Sequence, residues 1–235
     1  MIKQKTLPNG IRLIYERMDY VRSLAMGLWV DTGSVRETPE TAGASHLIEH
    51  MVFKGTEKRS AEQIAIEMDA VGGNLNAFTS KECTCFYAKV LDEHLELAAD
   101  ILSDIVLNSV FDPEELKKEQ GVVLEEILMN EDTPEDVASE ESNMSFFEGE
   151  SLESAILGTK DSVRAFTQES LFAYKNEHYL PGNIVVACAG HFDEAQLVET
   201  VSRYFGGFDK PGSSKPLIER YPGGKRVRFI EKDVE

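Results

Sequence analysis

Seven consecutive residues with no polar side chain, Leu24 to Val30 (LAMGLWV), constrain the fold more than any other stretch. Asp31-Thr32-Gly33-Ser34 closes the run. So short a stretch cannot sustain a helix of its own, and a strand that is apolar at successive positions belongs inside a sheet with both faces covered. Trp29 is accordingly expected in the core. Ile184 to Ala189, ended by Gly190, is a second run of this kind. Lys3 to Leu7 and Ile11 to Arg17 flank the turn Pro8-Asn9-Gly10. Asn74 to Thr79 and Thr84 to Leu91 read as a hairpin with Ser80-Lys81-Glu82 near its tip.

Helical patterns fill the intervals. Pro39 and Glu40 open one that runs to about Phe53. Ser60, with Gln63 as its reciprocal cap, opens a second that reaches about Val71 before Gly72-Gly73. Asp92 is expected to cap a third, whose apolar residues include Leu95, Ala98, Ile101, Leu102 and Ile105. Asp112-Pro113-Glu114-Glu115 opens a fourth, to about Glu131, and Thr133-Pro134 a fifth, toward Phe147. Ser151 to Asp161 reads as an irregular connector, with helices again over Thr167 to His178 and Asp193 to Phe205. Strands first, helix pairs between them and a hairpin in the middle imply an α+β fold, its helices packed on a mixed, mostly antiparallel sheet. Residues rich in Gly, Pro and Ser then form a linker over 209–225, and 226–235 begins with another strand (RVRFI).

The formal net charge of −18 argues against a nucleic-acid partner, whose phosphates require Lys and Arg. No apolar run reaches the length of about 18 residues needed to span a membrane, and the N-terminus lacks the apolar core of a signal peptide. The three cysteines, Cys83, Cys85 and Cys188, are an odd set, and a reduced, cytoplasmic location is the simpler expectation. Glu119 to Thr159 holds twelve Asp or Glu and no Lys or Arg. That run is either a solvated acidic surface or a lining that favours cationic peptides.

The chemistry lies in Gly43-Ala44-Ser45-His46-Leu47-Ile48-Glu49-His50-Met51. Residues four apart share a helix face, so His46 and His50 can aim two imidazoles at one point, with Glu49 at the edge of that face. Two neutral imidazoles and a carboxylate suit a catalytic zinc with one position left for water, and a nearby Glu can take that water's proton. On the fourth helix, Glu119, Val122, Val123 and Glu126 fall at i, i+3, i+4 and i+7, a single stripe that excludes Glu125. An acid on a core-facing stripe is costly unless its charge is compensated, and a metal would do so. Glu119 is open to a second reading, as a surface acid.

At this point the sequence resembles the inverted-zincin peptidases of the pitrilysin and mitochondrial-processing-peptidase family, the inverzincins, and most of all its bacterial processing-protease-like branch. The resemblance rests on His-x-x-Glu-His followed, after 75 intervening residues, by Glu126. Leu7 to Gly10, Gly73 to Thr79, Glu119 to Ile127 (EQGVVLEEI) and Tyr179 to Asn183 are further landmarks, so it covers nearly the whole chain. The resemblance implies a zinc endopeptidase acting on small or unfolded peptides. His46, His50 and Glu126 match the zinc ligands and Glu49 the general base. Glu119 matches a supporting acid, and Asn76 and Ala77 match the edge-strand segment that takes the peptide as an added strand. Asn76 also reads as a turn residue.

The resemblance further implies that residues 1–208 are the zinc-bearing half and that 226–235 begin a second homologous domain. That domain, or a partner chain, would close the chamber around the peptide, and dimerisation is left open. The groups expected to polarise the scissile carbonyl belong to this second half, so these 235 residues alone should bind zinc and cleave weakly or not at all. A non-catalytic subunit partnering an active chain, or another metal-dependent hydrolase, are the competing readings.

Overall fold

A computed structural model describes residues 1–208 together with Gly212, Val227, Phe229 and Ile230. Apart from those four residues, the linker and the strand expected after Phe208 lie outside the described residues. Six strands, β1 (Lys3–Thr6), β2 (Arg12–Arg17), β3 (Ser23–Val30), β4 (Asn74–Thr79), β5 (Thr84–Leu91) and β6 (Ile184–Gly190), form one sheet in the order β1-β2-β6-β3-β5-β4. Among the described residues only the β2–β6 pair is parallel, and the other four pairs are antiparallel. The two apolar runs recognised in the sequence, β3 and β6, lie side by side at its centre, Met26 opposite Cys188. The mixed, mostly antiparallel sheet and the hairpin β4–β5 agree with the expectation.

The helices are α1 (Ala44–Met51), α2 (Ala61–Asp69), α3 (Leu95–Leu107), α4 (Pro113–Asp132), α5 (Pro134–Phe146), α6 (Lys160–Ala165), α7 (Gln168–His178) and α8 (Glu194–Phe205). Leu24, Met26, Leu28, Val30, Phe86, Ala88 and Val90 bury one face of the sheet in a core shared with Leu47, Ile48, Ile101, Leu102 and Leu197 from α1, α3 and α8. The Pro8-Asn9-Gly10 turn fastens that layer. Gly10 supplies a φ of +100°, and the Asn9 amide donates to the carbonyls of Phe205 (2.9 Å) and Phe208 (3.1 Å) at the end of α8.

Four expectations are corrected. Trp29 is 38% exposed rather than in the core. It lies on the sheet's other face, its ring edge-on to Phe78 at 5.5 Å. An unbroken apolar strand need not be covered twice, because Ala25 and Gly27 are small and add little apolar area on that side. The first helix begins at Ala44, not Pro39, because Gly43 adopts a left-handed φ of +88° and starts it there. Asp92 does not cap α3. It opens a 3₁₀ turn, and its carboxylate binds the Arg22 guanidinium (3.0 Å), a charged donor stronger than a backbone amide, and the His191 ring (2.6 Å). At the end of the supposed connector, Thr159 and the following Ser162 cap each other reciprocally to start α6 at Lys160, a helix too short to show periodicity in the sequence.

Candidate metal centre

Helix α1 has no cap from its own first residue. Glu37 reaches in from the preceding loop instead and accepts the N–H groups of Gly43 (2.7 Å) and Ser45 (2.8 Å). A carboxylate at a helix N-terminus is favoured by the helix dipole. Ser45 is also tied to Tyr174 of α7, oxygen to oxygen at 2.8 Å. These bonds hold the helix that carries the two histidines, whose rings stand 4.6 Å apart, centroid to centroid.

Helix α4 faces this site. Its cap is Asp112, which accepts from Glu114 and Glu115 as the sequence implies. Its buried stripe is Leu116, Glu119, Val123 and Ile127; Val122, expected on that stripe, is 50% exposed, and Glu125 points away. Glu126 borders the stripe and is half-buried. Its Oε2 lies 3.6 Å from Nε2 of His46 and 3.9 Å from Nε2 of His50. The three donor atoms lie within 4.8 Å of one another. Two zinc bonds of about 2.0–2.1 Å at a tetrahedral angle separate their donors by about 3.4 Å, so this spacing fits a metal after small side-chain adjustments. The donor chemistry fits as well. Burial, aided by the neighbouring His50, pushes His46 down to about 4, leaving it the neutral imidazole a metal requires. Its Nδ1 is buried with no partner among the described residues.

Glu49 sits beside the cluster on the next position of α1. Burial raises its proton affinity, partly offset by a 2.6 Å hydrogen bond from the Thr79 hydroxyl. A carboxylate raised in this way is a better proton acceptor than a fully solvated one. Glu119 is 6% exposed, which removes the surface-acid reading. Burial pushes its carboxyl up, but hydrogen bonds from Lys54 (2.7 Å) and the His50 Nδ1 edge (3.1 Å) outweigh it and hold the group below the usual range.

Asn76 and Ala77 lie on β4, the outer strand of the sheet, where unpaired backbone groups can accept an added strand. The Ala77 N–H is covered by the Asn76 side chain at 2.8 Å. His46, His50, Glu126, Glu49 and Glu119 thus converge, while Asn76 and Ala77 lie earlier on the strand that ends in Thr79. Sequence reasoning missed Glu37, Thr79 and Lys54. Thr79 lies within a stretch already noted as a landmark, and Lys54 stands one turn beyond His50; nothing local marks Glu37.

The family described as insulinase (peptidase family M16) matches residues 12–160, and the peptidase M16 inactive domain matches residues 165–235. Curated relatives include an uncharacterised zinc protease of Bacillus subtilis, 45% identical over 92% of this chain and 53% of its own length. Another, from Streptomyces coelicolor, is 42% identical over 97% of this chain and 50% of its own length. The chain therefore spans about half the length of the curated relatives it matches. Among solved structures, a protease from Helicobacter pylori superposes with a TM-score of 0.86 at 18% identity, over 94% of this chain and 54% of that one. The first half of the periplasmic protease PqqL from Escherichia coli gives 0.86 at 19%, over 95% and 49%. These likenesses establish the fold, and the family match over more than half of the residues establishes kinship: the chain belongs to the insulinase family of peptidases, family M16.

Proposed function

We propose that this chain is the metal-bearing half of a zinc endopeptidase of the inverzincin type. The observation that carries the reading is the convergence of His46 Nε2, His50 Nε2 and Glu126 Oε2 beside Glu49. The names of the relatives as zinc proteases support the choice of metal. Bound zinc would act as a Lewis acid, lowering the pKa of a water and polarising a peptide carbonyl. Glu49 takes the water's proton and later returns it to the leaving amine. Thr79 holds the Glu49 carboxylate through that exchange. A small or unfolded peptide aligns along β4, exchanging the Asn76 cover on the Ala77 amide for its own backbone carbonyl.

The proposal extends to the whole protein. Relatives about twice as long support a second half that closes the site. The sheet face that no described helix covers suits a contact with that half. It holds a depression of about 380 Å³ bounded by Trp29, Phe78, Tyr87 and Ile14, with Gly27 and Ala187 in its floor. A reducing, cytoplasmic compartment is part of the same reading, supported by three free cysteines.

A competing reading, a non-catalytic subunit, draws on the inactive-domain match over residues 165–235, a region without any of the five clustered residues. Metal analysis separates the two. The purified chain is expected to hold about one zinc per molecule, lost in His50→Ala and Glu126→Gln. Absence of metal after gentle purification would favour the subunit.

A further inference from the structure

Glu119 is a carboxylate set among apolar side chains, and both its oxygens are engaged. Oε2 faces Nδ1 of His50 and Oε1 faces Nζ of Lys54. Lys54 ends the 3₁₀ turn that follows α1, so His46, His50 and Lys54 stand at i, i+4 and i+8 along one line. Helix α4 meets that line from two successive levels. Glu126 lies toward the Nε2 edge of His50, and Glu119, two turns earlier on α4, lies at its Nδ1 edge. One helix thus faces the His50 ring at both nitrogens and is within hydrogen-bond distance of it at Nδ1.

A carboxylate bonded through one oxygen can still turn about its last torsion, which is broad. Bonded through both, it has one orientation. Among the described residues Lys54 is the cation that pairs with Glu119. Its own side chain is mostly withdrawn from solvent, so the pair is less screened than one on the surface.

Resting on the zinc reading above, we propose that Lys54 is a positioning residue for the metal centre. By pinning Glu119 it fixes the ring orientation of His50 and the tautomer that keeps Nε2 available, and so sets zinc affinity. The sign of the effect distinguishes this from charge alone. A cation near a dication repels it, so a Lys54 acting only through its charge would weaken zinc binding, and its removal would tighten it. A Lys54 acting as a clamp gives the opposite result.

Zinc affinity is measured on the 235-residue chain by competition with a chromophoric chelator, with far-ultraviolet circular dichroism as a check on folding. Lys54→Met is expected to weaken zinc binding roughly three- to tenfold, less than the 10–100-fold typical of groups bonded directly to a ligand. Lys54→Arg, which keeps a donor in reach, is expected to stay nearer the parent. In a Glu119→Gln background the Lys54→Met loss is expected to vanish, because the residue through which it acts has been changed. Tighter or unchanged binding in Lys54→Met, or an undiminished loss in the Glu119→Gln background, overturns the proposal while leaving the zinc site standing. A parent chain that binds no zinc overturns both.

Discussion

The carboxylate of Glu49 is set by two opposed influences: burial, which favours its protonated form, and the Thr79 hydroxyl, which favours the ionised one. Thr79 ends β4, so the strand edge assigned to the peptide and the group assigned to proton transfer are joined by a single hydrogen bond. Thr79→Val keeps the shape and removes the donor. In a longer chain that includes the second half found in relatives it is expected to lower kcat by about three- to tenfold, the worth of roughly 1 kcal/mol of hydrogen bonding, with zinc content unchanged and Thr79→Ser restoring the rate. An unaltered kcat would show that burial alone orients Glu49. Glu49→Gln is the reference point, expected to keep its zinc and to lose about 10²–10⁴-fold in rate, the usual contribution of a general base.

Among the elements, α1 depends most on a residue outside itself. Glu37 accepts two backbone N–H groups at its start, and Glu37→Gln leaves one carboxamide oxygen to serve both. The expected cost is about 1–2 kcal/mol in unfolding free energy, measured by urea titration. The pH dependence has a definite sign. Burial raises the Glu37 carboxyl above its ordinary 4.5 in the folded chain. The folded state therefore holds that proton more tightly than the unfolded state does. The stability tied to it is fully present below the unfolded value and is lost as pH rises through the folded one. The parent-minus-Glu37→Gln difference in stability should accordingly shrink as pH rises from about 4.5 toward neutrality. A difference that grows with pH would contradict this sign. Element types were legible where neighbours in sequence decide them, as with the Ser60–Gln63 reciprocal cap of α2, the Asp112 cap of α4 and the hairpin β4–β5. They were misjudged where distant partners intervened, as when the Arg22 guanidinium and the His191 ring drew Asp92 away from α3.

For the whole molecule, the sheet face left open by the described residues is the feature with the clearest readout. Trp29 is the single tryptophan, and it stands on that face beside Phe78, which is 40% exposed. In the isolated chain its emission is expected to be that of a partly hydrated indole, quenched by acrylamide. A longer chain that includes the remaining half found in relatives is expected to shift the emission to the blue and to protect it from quencher. Equal emission from both would show that the second half lies elsewhere. The same pair of proteins tests the division of labour, with zinc bound by both and peptide cleavage confined to the longer one.

The local sequence determined whatever the backbone periodicity decides. Two histidines four apart share a helix face wherever that helix lies. An apolar run between turn residues becomes a central strand, and Pro after Asp starts α4. The spacing of Glu126 became meaningful only through resemblance. Tertiary structure decided what depends on separation in the chain. It brought Glu119 to His50 across 69 residues and Thr79 to Glu49 across 30, placed Lys54 against Glu119, and turned Val122 outward while Glu126 stayed at the cluster. It also chose which face of β3 the helices cover. The reason is physical: a helix or strand fixes the directions of its side chains relative to one another, but only packing against other elements fixes what those side chains meet.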